Sequence, residues 1–128
     1  MALYADIIDL VSPLQAAAGS LVDFNAVVKN TYSYPVGIKV TAALEYNGGF
    51  WTGIVIPQDV ANIDAQATYT FSGYFGMPDK TVIIHIYSYW YGADGQWYFD
   101  DEMTRVVSLA SAGQPSISEF RITDFIKV

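Results

Sequence analysis

The residues able to do chemistry in this chain are few, and they gather late. His85 is the only histidine, set inside the run Val82-Ile83-Ile84-His85-Ile86. A Ser-His-Asp triad needs a nucleophile presented on a turn beside the imidazole. No Gly-x-Ser-x-Gly elbow is present, and Ser88, the nearest serine, falls on the opposite face of the same strand. His85 therefore reads as a histidine on an outer sheet face among tyrosines. One histidine without cysteine also falls short of a zinc site, which takes several nitrogen or sulfur ligands.

Asp94, Asp100, Asp101 and Glu102 form an acidic cluster around the last hairpin. Hard cations take about six to eight oxygen ligands, but this spacing matches no EF-hand loop, and the Asp-Asp-Glu run alternates faces on a strand. The expectation is a solvated acidic edge that discourages pairing between sheets. Nothing in the spacing supports a glycosidase pair of carboxylates either. No catalytic residue, no metal and no cofactor is expected.

The aromatic residues say more. Tyr87, Tyr89 and Tyr91 share one strand face with Ile83 and His85, while Val82, Ile84, Ile86 and Trp90 share the other. Trp97 and Phe99 stand across the hairpin. With Ile84 and Ile86 in the core, the tyrosine row lies outside and offers a contact surface, because tyrosine buries much area and keeps a polar tip. Two further readings stay open. The rings could stack on sugars, or they could ladder with cross-strand neighbours and only stiffen the sheet.

The elements that position these residues follow a period of two. Val22, Phe24, Ala26 and Val28 alternate with polar residues, as do Ile38, Val40, Ala42, Leu44 and Tyr46, and then Ala67, Tyr69 and Phe71. Turn residues fall between the runs: Asn30 to Pro35, Asn47-Gly48-Gly49, Pro57, Gly76 to Lys80, and Gly92-Ala93-Asp94-Gly95. The predicted strands are Tyr4–Leu10, Ser20–Asn30, Val36–Tyr46, Phe50–Ile56, Gln66–Tyr74, Thr81–Tyr91 and Gln96–Leu109. The segment Pro13 to Gly19 is read as an irregular loop. Seven short strands imply an all-β, antiparallel two-sheet sandwich, with a closed barrel as the alternative.

Composition bounds the partners. The 128 residues are 52% hydrophobic and only 15% charged, which suits one packed core and a sparsely charged surface. Net charge is −7, and the six basic residues are scattered singly. Binding to phosphate backbones needs clustered cations, so nucleic acid is not expected, and neither is an anionic membrane. Asp6 and Asp9 interrupt the apolar start, and no run of about 18 apolar residues exists for a membrane span. If Met1 is the natural start, the chain stays in the cytoplasm in which it is made.

The segment SLVDFNAVVKNTYSYPVGIKVTAALEYNGGFW resembles the second and third strands of bacterial CARDB-type immunoglobulin-like domains. Those pair an alternating strand ending in Val-Lys-Asn with a short polar loop, a second alternating strand and a glycine hairpin. The run from Ala65 to Phe71, the turn Met77-Pro78-Asp79-Lys80 and the strand from Thr81 fit the same layout. The resemblance covers roughly residues 5–109 and departs at the aromatic-rich strand Thr81–Tyr91 and after Ala110. It implies an immunoglobulin-like β-sandwich with a tendency toward adhesion or display, and it transfers no catalytic residue.

The sandwich is assigned to residues 1–110, and residues 111–128 to a C-terminal extension. That extension carries Ile117, Phe120, Ile122, Phe125 and Ile126, too apolar for a loose end. It is read as an edge strand of its own domain, as an arm adding to a neighbour's sheet, or as the first strand of a further domain. Together with Tyr87, Tyr89, Tyr91 and Trp97 these residues form the expected interface. The expected function is that of a non-enzymatic structural or decoration protein of a virion, assembled in the host cytoplasm and contacting itself or a shell or tail protein. The alternative is an adhesion or carbohydrate-binding module of a larger protein at the extracellular surface.

Overall fold

Because β-carbons alternate across a strand, each alternating run turns into one buried row. Val22, Phe24, Ala26 and Val28 are all buried, and so are Ile38, Val40, Ala42 and Leu44. The two rows belong to different sheets and meet in a core that also takes Phe71, Phe75, Val82, Ile84, Ile86 and Val107. The computed structural model describes residues 2–46 and 48–110. Ile117, Phe120, Ile122, Phe125 and Ile126 lie outside the described residues.

Among the described residues nine strands follow in order: β1 (Ala5–Val11), β2 (Gln15–Ala16), β3 (Leu21–Asn30), β4 (Val36–Tyr46), β5 (Phe50–Ile54), β6 (Val60–Ile63), β7 (Thr68–Gly76), β8 (Val82–Tyr91) and β9 (Trp97–Leu109). The smaller sheet has the order β1-β3-β7. The larger runs β2-β9-β8-β4-β5, with β6 also on β4. Among the described residues a single bridge, Val55 to Tyr74, links the ladders of the two sheets, so the fold is a sandwich rather than a closed barrel.

Seven strands were expected, and β2 and β6 are additional. β2 is a two-residue strand parallel to β9, flanked by Ser108 N–H donating to Leu14 and Ala110 N–H donating to Ala16. The stretch read as a loop therefore borders the large sheet at this point. β6 pairs with the first third of β4, from Val36 to Lys39, and β5 pairs with the last part, from Ala42 to Tyr46. Strands this short show no readable alternation; their partner's ladder defines them.

Asn30 closes the β3–β4 connection from inside. Its fully buried amide nitrogen donates to the carbonyls of Tyr34 at 2.8 Å and Ile63 at 2.9 Å, and its oxygen accepts from Tyr32 N–H at 2.8 Å. A buried amide satisfied on both ends fixes where the loop leaves the sheet.

Candidate binding surface

The core-facing row of β8 is Val82, Ile84, Ile86 and Ser88, all buried, so Ile83, His85, Tyr87 and Tyr89 face outward. Hairpin register places Trp97 opposite Tyr91 and Phe99 opposite Tyr89, and the β4–β5 hairpin places Trp51 opposite Glu45. The result is a chain of rings running diagonally across the outer face of the large sheet. Trp51 lies 4.3 Å from the His85 ring, and His85 stacks on Tyr87 at 6.2 Å. Tyr87 reaches Phe99 at 6.2 Å, and Phe99 meets Tyr89 edge-on at 5.9 Å. Lys39 Nζ sits 5.2 Å from the Tyr89 ring and 5.0 Å from the Trp97 ring, and Trp97 meets Tyr91 at 5.0 Å.

Exposure within the chain is uneven. Trp51, Tyr91 and Phe99 are 46%, 50% and 58% exposed. Tyr87, Tyr89 and Trp97 are half-buried by these neighbours. The rings thus contact one another across strands, and Trp51, Tyr91 and Phe99 also face solvent. Burial raises the Tyr87 hydroxyl above its ordinary range, and the charges of Glu102, Tyr89 and Glu45 push the same way, so it stays a neutral donor.

His85 is buried beneath this row, although it faces away from the core. Its Nε2 lies 2.8 Å from Glu45 Oε1 and its Nδ1 3.0 Å from Glu102 Oε2. A neutral imidazole has one N–H; only the imidazolium donates to both carboxylates. The two glutamates flank opposite sides of the ring and do not converge on a point. Among the described residues no three acidic or histidine side chains form a group that could hold a metal ion. Glu45 and Trp51 are absent from the sequence-stated interface; the Asn47-Gly48-Gly49 hairpin, taken as a register, would have placed them beside His85.

The acidic cluster divides: Asp94 and Glu102 are exposed, but Asp100 and Asp101, expected on a solvated edge, are half-buried and engaged with backbone donors. The β8–β9 ladder shifts between Ser88 and Tyr89, because Ser88 pairs with Asp101 and Tyr89 with Phe99. Asp100 is the extra residue of this bulge, and a bulge re-aims side chains. Its carboxylate accepts the backbone N–H groups of Leu3 at 2.6 Å, Tyr4 at 2.8 Å and Ala5 at 2.6 Å. Asp101 accepts Ile7 N–H at 2.9 Å. These carboxylates therefore bind the edge of β1 to β9 and close one flank of the sandwich. Asp94 instead accepts the Tyr98 hydroxyl, which holds Asp94 below the usual carboxylate range and raises Tyr98.

At the end of the sandwich where the β3–β4 loop meets the β8–β9 hairpin lies a cleft of about 530 Å³. Tyr4, Tyr32, Trp90 and Tyr91 line it with Pro35, Val36 and the glycines 37, 92 and 95. Tyr4 meets both Tyr32 and Trp90 edge-to-face at 4.8 Å. Among the described residues no charged side chain lines it.

No protein-family model and no curated protein matches the sequence. Solved structures do share its fold. The CARDB domain of the PF1109 protein from Pyrococcus furiosus, in complex with di-metal ions, aligns with a TM-score of 0.59 at 13% identity over 84% of this chain and 90% of that one. A PKD domain of an M14-like peptidase from a Thermoplasmatales archaeon aligns with a TM-score of 0.51 at 14% identity, covering 87% and 100%. The alkylpurine DNA glycosylase AlkC of Pseudomonas fluorescens aligns with a TM-score of 0.64 at 13% identity over 87% of this chain. This chain spans about a third, 32%, of that glycosylase's length. The protein has an immunoglobulin-like β-sandwich fold, which it shares with that CARDB domain and that PKD domain.

Proposed function

We propose that this chain is a non-catalytic interaction domain that binds a protein partner through the aromatic outer face of its large sheet. The observation that carries the reading is the contact chain from Trp51 through His85, Tyr87 and Phe99 to Tyr89 and, across the Lys39 ammonium, to Trp97 and Tyr91. Rings already locked by their neighbours lose little freedom when a partner covers them, and aromatic residues dominate interface energetics. The setting proposed is a virion, with a shell or tail protein beneath this face. Cosedimentation with purified particles from the same source tests both points. Binding by the parent chain, lost in Trp51→Ser/Phe99→Ser, supports the proposal; particles that sediment without the parent chain remove the virion setting.

A second reading rests on the end cleft. Its aromatic, uncharged lining suits a neutral saccharide, whose rings stack on aromatic faces. Titration with neutral oligosaccharides, read by Trp fluorescence, tests it. A Trp90-dependent saturable change favours this reading, and an unchanged spectrum dismisses it.

A further inference from the structure

The two flanks of the sandwich are finished differently. On one, Asp100 and Asp101 take up four backbone N–H groups at the start of β1. On the other, β5 ends the large sheet among the described residues, with β4 as its ladder partner there and Val55, just past its end, bridging Tyr74 of β7. Its sequence, Phe50-Trp51-Thr52-Gly53-Ile54, has no charge and no proline, and its first four residues are exposed. Open strand edges are normally blunted by lysine, proline or a bulge, because they invite another strand. β5 carries none of these.

We infer that β5 is the edge by which two copies of this chain pair, antiparallel, about a two-fold axis through Thr52. The strand's own pattern argues for a second copy rather than a foreign strand. Antiparallel pairing centred on Thr52 uses all five residues and sets Phe50 against Ile54 and Trp51 against Gly53. Both members of the second pair lie on the outer face, since β5 residues 51 and 53 oppose Glu45 and Ala43 of β4. A large ring then lies over a residue without a side chain, twice by symmetry. A β-carbon built on Gly53 meets nothing within 4 Å among the described residues, which leaves that space for the partner's indole. An aromatic side chain covering a cross-strand glycine is a recognised stabilising device in sheets. The pairing merges two large sheets and brings the two outer aromatic faces side by side, beyond the partner binding proposed above. Each copy carries −7, so long-range repulsion opposes the contact and added salt strengthens it.

The experiment exploits a chain without cysteine. Thr52→Cys places a thiol opposite its own copy, where directly opposed strand residues lie about 4.5–5.5 Å apart at Cα, within disulfide range. Thr104→Cys, exposed on the outer face, is the comparison. With diamide as oxidant, T52C should give crosslinked dimer at least tenfold faster than T104C. In sedimentation velocity over a concentration series, the full chain should dimerise more tightly at higher salt. Gly53→Val, whose β-carbon meets nothing within 4 Å in the single molecule, should weaken dimerisation at least tenfold without lowering the melting temperature of the monomer. A full chain that stays monomeric throughout, a T104C that crosslinks as fast as T52C, or a G53V that dimerises like the parent overturns the inference. The particle-binding reading stands or falls separately, on W51S/F99S.

Discussion

Ser88 Oγ donates to the carbonyl of Ala5 at 2.6 Å, joining β8 of the large sheet to β1 of the small one through the core. Ser88 is fully buried, so neither group has water as a substitute. Ser88→Ala should cost about 1–3 kcal/mol, the penalty of an unsatisfied buried acceptor. Urea midpoints at unchanged slope measure it. A loss within error of zero would mean that the Ala5 carbonyl finds another donor.

Asp100 accepts three backbone donors from Leu3, Tyr4 and Ala5. Asp100→Ala should destabilise the fold by about 2–3 kcal/mol, given the strength of hydrogen bonds to a charged acceptor. Asp100→Asn, which keeps one carbonyl oxygen, should lose less. Amide exchange at Leu3, Tyr4 and Ala5 should accelerate well beyond the rest of β1 in D100A. Uniform acceleration along β1 would contradict this local role.

Asp6 lies beside this junction, and its pKa is raised. Burial is the main cause, followed by the charge of Asp101, a hydrogen bond with it and the charge of Asp100, while Lys29 opposes. A carboxyl whose folded pKa exceeds its unfolded value binds more protons when folded. Stability is thus lost as pH climbs from the ordinary carboxylate range through the raised value, and the penalty persists above it. Asp6→Asn should be more stable than the parent at neutral pH by about 0.5 kcal/mol, since solvent screens this partly exposed group. The two stability curves should converge as acid protonates Asp6. A constant gap at all pH values would contradict the assignment.

Gly73 sits opposite Phe24 in the β3–β7 ladder, and a β-carbon there would stand 2.4 Å from Phe24 Cζ. Phe24 is buried in the core and has little room to give. Gly73→Ala should cost about 1–3 kcal/mol through overpacking. Phe24→Leu in the same chain should recover part of that loss, a coupling that a double-mutant cycle reads directly. Strict additivity would show that the ring and the glycine do not share space.

The long strands were legible because burial and alternation coincide in them. Phe24 and Val28, or Val40 and Leu44, needed no partner to be recognised as inward-facing. β2 and β6 were not legible, since two to four residues carry no period and only β9 and β4 define them. The acidic run was misread for a related reason. Whether Asp100 meets water or the start of β1 depends on a bulge and on a contact about 95 residues away in sequence. The tyrosine face could be placed from β8 alone, but His85's two carboxylates come from β4 and β9.

The carboxylates of Asp100 and Asp101 also set a limit on growth. The N–H groups of Leu3, Tyr4, Ala5 and Ile7 already have acceptors, so an incoming strand finds none of those donors free along this stretch. If two copies meet along β5 as inferred above, that edge of each is used up, and a larger array of such pairs has to be organised by another surface.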